Sequence, residues 1–291
     1  MSSRSASSGD GRRLGRRGLT ELLETHGLRP SRALGQNFLA DPNTAERIVA
    51  LAGVRPGDRV VEVGPGLGSL TTALISAGAL VTAVELDGRL AAILRDEVLG
   101  ADVAAGRLEV VQADALDFGW VGGLDGQGWA LVANLPYNVA TPLVIQVLER
   151  VPAVERMLVM VQREVAERLA APPGSRTYGA ASVKVAYWAE AEVVGRVPPA
   201  VFLPRPRVES ALVRIVRRPV PAVGPEVVGY ERLAEVVRAG FGRRRKMLRG
   251  SLAGVVDEAA FAEAGVDPTA RAEDLGVVAW GRLAGAGRAS S

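Results

Sequence analysis

From Asp58 onward the chain alternates short β-branched runs with amphipathic stretches. Arg59-Val-Val-Glu-Val63 ends in glycines and leads into a helical stretch from Leu67 to Ala77. Leu80 to Leu86 reads as a second strand, Gly88 to Leu99 as a second helix, and Leu108 to Gln112 as a third strand. Trp129-Ala-Leu-Val-Ala133 is a fourth strand, followed by a helix over Thr141 to Arg150, and Val154 to Val161 is a fifth strand. Strands at this spacing, joined by single helices, predict an α/β fold with a doubly wound parallel sheet. The β-rich runs Ala180 to Glu192 and Ser210 to Arg217 are expected to add antiparallel strands at its edge. Upstream, Leu19 to His26 reads as a short helix, and Asp41-Pro-Asn-Thr44 starts another that runs to Ala52. Pro219-Val-Pro-Ala-Val-Gly-Pro225 reads as a linker. Beyond it Tyr230 to Ala239, Arg244 to Ala253, Glu258 to Ala264 and Ala272 to Ala284 are expected as short helices. The resulting division is a flexible Arg/Ser-rich arm (1–27), a large α/β domain (28–218) and a small helical domain (219–291).

Composition narrows the chemistry. The 291 residues, 48% hydrophobic and 23% charged, fit a soluble globular protein of one large or two modest domains. No run reaches the roughly 18–20 apolar residues that span a bilayer, so no membrane partner is expected. Met1 to Arg17 lacks the apolar core of a secretory signal, which makes the cytoplasm the expected compartment. With no cysteine and one histidine, His26, the chain has no disulfide framework, no thiolate nucleophile and no His/Cys metal site. Thirty-five basic residues against 32 acidic ones leave a net +3, and all the bases but Lys184 and Lys246 are arginine. They cluster at Arg12, Arg13, Arg16 and Arg17, over Arg205 to Arg218, and at Arg243, Arg244, Arg245, Lys246 and Arg249. Such patches suit a polyphosphate partner through bidentate contacts and counterion release.

The first strand turns into its helix through Val61-Glu-Val-Gly-Pro-Gly-Leu-Gly68. Gly64, Gly66 and Gly68 would let a ligand approach the backbone at the carboxyl ends of the strands. Glu85 ends the second strand, where a carboxylate can accept both hydroxyls of a ribose. Asp114, just after the third strand, could receive an adenine amino group. Together these residues point to an adenosine-containing cofactor. The turn reads G-x-G-x-G, with Ser69 where the dinucleotide fingerprint has Gly or Ala, which leans away from a pyrophosphate cradle. An NAD-dependent dehydrogenase remains an alternative, although it lacks an evident acid or base.

After the fourth strand comes Asn134-Leu-Pro-Tyr137: a polar amide, a proline-stiffened turn and an aromatic placed where a substrate would meet the cofactor. This segment resembles the N-P-P-Y class of amino-methyltransferases. The wider chain resembles the ribosomal RNA adenine N6,N6-dimethyltransferases of the KsgA type. That likeness is carried by Leu34-Gly-Gln-Asn-Phe-Leu39, the glycine turn, Gln112-Ala-Asp-Ala115, Asn134-Leu-Pro-Tyr-Asn138 with Thr141-Pro142, and Gln162-Arg-Glu-Val165. Tyr178-Gly179, Val201-Phe-Leu-Pro-Arg-Pro206 and Phe241-Gly-Arg-Arg-Arg-Lys-Met-Leu-Arg249 extend it over most of the chain.

The resemblance implies a Rossmann-like class I methyltransferase sheet with S-adenosylmethionine as cofactor. It implies that Asn37, Leu39, Gly64, Glu85, Asp114 and Asn134 form the cofactor site, with Glu62 near its amino-acid end. The Asn134 side-chain oxygen and the Leu135 carbonyl would accept the two hydrogens of an adenine amine, on a turn stiffened by Pro136. Tyr137 and Phe202 would hold the flipped base between them. Arg243, Arg244, Arg245, Lys246 and Arg249, on a helix with Met247 and Leu248 inward, would face RNA. The implied partner is 16S rRNA in an assembling small ribosomal subunit, met by a monomer without metal. The chain departs from the family pattern with Val139-Ala140 in place of Ile-Ser and with Gly242 in place of Gln. Two alternatives share the fold: a 23S rRNA methyltransferase of the Erm type, and a non-catalytic RNA-binding assembly factor.

Overall fold

The computed structural model describes residues 13–31, 35–243 and 245–286. Among them, the strands in chain order are β1 (Phe38–Leu39), β2 (Arg59–Val63), β3 (Leu80–Glu85), β4 (Leu108–Gln112), β5 (Trp129–Asn134), β6 (Val154–Gln162), β7 (Ala189–Val197), β8 (Phe202–Leu203) and β9 (Ser210–Arg217). The helices are α1 (Arg16–Thr25), α2 (Pro42–Ala52), α3 (Ser69–Ser76), α4 (Gly88–Ile93), α5 (Gly100–Ala104), α6 (Trp120–Gly123), α7 (Ala140–Arg150), α8 (Arg163–Leu169), α9 (Ala180–Trp188), α10 (Tyr230–Gly242), α11 (Leu248–Ser251), α12 (Glu258–Ala264) and α13 (Val277–Ala286).

The main sheet has the order β4-β3-β2-β5-β6-β9-β7. Its first five strands are parallel, and β9 and β7 join antiparallel. The interior parallel strands β2, β3 and β5 are buried on both faces, which is why they read as Val/Leu/Ala-rich runs, whereas the edge strand β4 is partly exposed. Val61, Val63, Leu131 and Ala133 pack on one face with α7 and α8, while Val60, Ala130 and Val132 pack on the other with α2 and α3. Strand order reverses between β2 and β5, so the topological switch point lies at their carboxyl ends, where open α/β sheets bind ligands. Val61 is level with Leu131 and Val63 with Val84, which brings Gly64, Glu85 and Asn134 to one rim of the sheet.

The parallel strands lie where the sequence pattern puts them, and the edge differs. Ala180–Trp188 is a helix, α9, and only from Ala189 does the chain become the edge strand β7. α9 is covered on several sides: Val185 joins the sheet core, whereas Val183 and Tyr187 join the core of the C-terminal helices. Residues 219–225 are pinned rather than loose. The Ala222 N–H donates to the Tyr187 carbonyl (2.9 Å) and Val223 is buried against the C-terminal core.

The basic run is not the start of a long helix. Lys246 N–H closes a turn onto the Arg243 carbonyl (2.8 Å), Met247 bridges to Arg271, and helix α11 covers only Leu248–Ser251. Leu248 is buried, but Met247 faces solvent. Of the N-terminal arm, residues 1–12 lie outside the described residues. The part that follows is docked rather than flexible, since Leu19 and Leu23 of α1 pack with Phe38, Leu67, Leu90 and Ile93.

Candidate active site

The switch-point rim is also the mouth of a cavity. Its lining includes Asn37, Phe38, Leu39, Glu62, Gly64, Gly66, Glu85, Asp114, Asn134, Leu135, Pro136 and Tyr137. Five sequence segments converge there because the neighbouring parallel strands β4, β3, β2 and β5 end side by side and the 35–39 segment joins them.

The glycine turn follows from β2. Gly64 and Gly66 have φ of +69° and +58°, a left-handed conformation that glycine adopts without strain. A Cβ on Gly66 would also lie 2.8 Å from the Phe38 ring, so nothing larger fits beneath it. Glu85 braces this turn: one carboxylate oxygen accepts from Gly66 N–H and the other from Asp87 N–H, each at 3.0 Å. Those bonds leave lone pairs for further donors, as recognition of a ribose diol requires. Burial raises the pKa of Glu85, and the two backbone donors oppose the shift. Asp114 lines the same cavity and accepts from Leu116 N–H at 2.8 Å, which fixes its carboxylate beside the β4 end.

Glu62 lies deeper, 1% exposed on the α3 side of β2. Burial drives its pKa up to about 8; the Thr71 hydroxyl opposes the shift and the Glu85 charge adds to it. Among the described residues its Oε2 has no hydrogen-bond partner. An orphaned carboxyl oxygen at the base of a cavity needs a donor, and an ammonium or an ordered water would meet that need.

The Asn134 loop is held from three directions. The Asn134 amide N–H donates to the Asn37 carbonyl at 3.0 Å. Because only the amide nitrogen can donate to a carbonyl, this bond fixes which end of the amide is which. Oδ1 is thereby left as the acceptor, with no hydrogen bond to it among the described residues. Leu135 N–H donates to the Met160 carbonyl (3.0 Å), and Val139 N–H closes a turn onto Pro136 (3.2 Å). Tyr137 pairs its hydroxyl with Ser210 Oγ at 3.0 Å, which fixes the far end of the half-buried ring. Burial raises the Tyr137 pKa, so the phenol stays neutral.

Two residues that sequence reasoning missed matter for this arrangement. Ser210, fully buried at the start of β9, orients Tyr137. Gln36 ties the crossing segment down by accepting from Ser31 N–H (2.7 Å) and donating to Asp87 (3.2 Å). Neither carries a pattern of its own, although both sit inside segments already singled out.

Phe202 does not join the site. It is fully buried in the core beneath the sheet, paired with Leu39 through β8 and β1, and does not line the cavity. The reading of its ring as the second face of a base sandwich is therefore corrected to that of a core residue. His26 ends α1 and pairs with Glu97 at 2.7 Å, outside the cavity lining. Arg243, Arg245, Lys246 and Arg249 are exposed, and Arg244 lies outside the described residues.

Residues 28–284 match the family model described as ribosomal RNA adenine dimethylase. The chain belongs to the ribosomal RNA adenine dimethylase family. Proteins named ribosomal RNA small subunit methyltransferase A from Kineococcus radiotolerans and Thermobifida fusca are each 49% identical to it. The first match covers 93% of this chain and 90% of the relative, the second 95% and 97%. Among solved structures, that of the 23S rRNA methyltransferase ErmE superposes with a TM-score of 0.64 at 30% identity, covering 86% of this chain and 99% of that one. A dimethyladenosine transferase from Plasmodium falciparum superposes with a TM-score of 0.68 at 22% identity over 84% of this chain and 95% of its own, a likeness of fold. As a member of the ribosomal RNA adenine dimethylase family, the chain is a methyltransferase. Among the described residues no group of His, Cys, Asp and Glu is arranged to hold a metal, and no helix is long and apolar enough to cross a membrane.

Proposed function

We propose that the protein transfers methyl groups from S-adenosylmethionine to N6 of two adjacent adenines near the 3′ end of 16S rRNA, in an assembling small subunit. In this reading it works as a cytoplasmic monomer. Support for the substrate comes from the relatives named for the small subunit, at 49% identity, against 30% for the 23S enzyme of known structure.

Three observations support this donor: a glycine turn that a Cβ would fill, the Glu85 carboxylate at the end of β3 beside that turn, and an orphaned Glu62 oxygen where an ammonium would fit. When bound, S-adenosylmethionine supplies a methyl group already activated on a sulfonium. Glu85 would take the ribose hydroxyls, Asp114 the adenine amine of the donor, and Asn37 and Leu39 the methionine end.

The observation that carries the catalytic reading is the Asn134 amide, anchored by its nitrogen to Asn37 so that its oxygen remains an acceptor. An adenine amine is a weak nucleophile because its lone pair is delocalised into the ring. Asn134 Oδ1 and the Leu135 carbonyl would accept its two N–H bonds and draw the nitrogen toward a pyramidal, donating geometry. No strong base is needed, since catalysis here is positioning plus stabilisation of developing positive charge on the amine. Pro136 keeps the turn rigid, and Tyr137 would stack on the base. Such stacking is worth about 1–3 kcal/mol, comparable with the few kcal/mol needed to extrude the base.

The test is to offer the purified protein small and large ribosomal subunits that lack the modification and to map methylated bases. Paired N6,N6-dimethyladenines in the small-subunit RNA are expected; methylation confined to 23S rRNA would replace this reading with the Erm-type one.

A further inference from the structure

The arginine-rich stretch from 205 to 218 divides into two kinds of residue. Arg214 pairs with Glu192 (2.9 Å) and Arg218 with Glu190 (3.0 Å) across the sheet edge. Arg217 spends its guanidinium on the carbonyls of Val147, Leu148, Val151 and Val154, at 2.9–3.1 Å, closing the end of α7. These three are structural. Glu209, the one acid in the segment between the two prolines and β9, is occupied by Arg163 at 2.9 Å. Arg205 and Arg207 remain exposed, and among the described residues neither is bridged to a carboxylate.

Their place in the fold gives this free charge a use. Just upstream, Leu203 pairs with Phe38, next to the Asn37 carbonyl that anchors Asn134. The Arg16 guanidinium ties the same strand down through the Ala200 (2.7 Å) and Phe202 (3.1 Å) carbonyls. Just downstream, Ser210 holds the Tyr137 hydroxyl. Arg205 is two residues from the first anchor and Arg207 three from the second, and three residues of chain span at most about 11 Å. Neither anchor lines the cavity itself, but each holds a residue that does: Leu203 pairs with Phe38 and Ser210 with Tyr137. Pro204 and Pro206 alternate with the arginines, limiting the freedom the segment loses when it binds.

We propose that Arg205 and Arg207 form a phosphate clamp at the mouth of the active site, holding the RNA backbone beside the extruded adenine. The proposal rests on the RNA-methyltransferase reading above and adds a second contact surface to the exposed cations Arg243, Arg245, Lys246 and Arg249. Guanidinium groups suit this task because their planar fork meets phosphate oxygens two at a time, and such contacts set register without reading sequence.

The test compares wild type, an R205Q/R207Q double variant and an R205K/R207K variant on undermethylated small subunits, over a range of salt. The glutamine variant is expected to raise KM for the subunit roughly tenfold and to lower the salt slope of binding by about one to two. Turnover at saturating subunit, donor Kd and Tm should stay within about twofold, or a degree or two, of wild type, and the lysine variant should recover most of the salt slope. An unchanged KM and salt slope would overturn the clamp, as would a loss of donor affinity or Tm that accounts for the defect. Failure of wild type itself to methylate small subunits would overturn the substrate reading, and is visible before either variant is compared.

Discussion

Glu62 is an acid kept almost wholly out of water, with its carboxyl held up at about 8, so at neutral pH it is protonated in the folded protein. In the unfolded chain it ionises near its ordinary value of about 4.5. Between those values only the folded state holds the proton, so the contribution of this group to stability is full below about 4.5 and is lost as pH rises toward 8. Glu85, shifted in the same direction by burial, adds to the trend. Glu62→Gln is expected to flatten much of this decline, a difference on the order of a few kcal/mol between pH 5 and pH 8. Urea unfolding of the unliganded protein at the two pH values checks it; an unchanged slope would mean that the carboxyl is solvated. At this scale the sequence singled out Asn134, Pro136 and Tyr137, and all three line one cavity in the fold. It misled at Phe202, because whether an aromatic lines a cavity or fills a core depends on the register of a two-residue strand, which no periodicity reveals.

Element identity was legible where short runs of β-branched and aliphatic residues stood out from their neighbours, hence the close agreement for β2, β4 and β9. It failed at α9, whose Val183, Val185 and Tyr187 look like strand residues. A helix enclosed by the sheet on one side and the C-terminal helices on the other has no polar face to betray its period. It failed again at the basic run. Arginines favour helix, yet the segment is a turn because Met247 bridges to Arg271 and Leu248 N–H donates to the Ala270 carbonyl instead. The docked helix α1 is the element with the clearest functional consequence. Leu19 is fully buried against Phe38, Leu67 and Leu90, and those three also line the switch-point cavity. Leu19→Ala is expected to cost about 2–5 kcal/mol of docking, read as a lower urea midpoint, and to weaken donor binding measured by calorimetry. An unchanged donor Kd would show that the cavity wall stands without α1.

For the whole molecule, the central feature is that one sheet rim brings together residues from distant parts of the chain. Asn37, Gly64, Glu85, Asp114 and Asn134 meet there because strand order reverses between β2 and β5. The net charge of +3 does not reveal the distribution of cations. Several arginines are tied to nearby acids or carbonyls, and the exposed cations include Arg205, Arg207, Arg243, Arg245 and Lys246. A doubly wound parallel sheet was readable from spacing, but which cations remain free was not, because ion pairing is set by contacts across the folded edge. The most direct test of the account is single-turnover methyl transfer to undermethylated small subunits by Asn134→Ala, with donor affinity measured alongside. The account predicts a donor Kd within a few-fold of wild type and a transfer rate lower by about two orders of magnitude or more; a rate equal to wild type would contradict it.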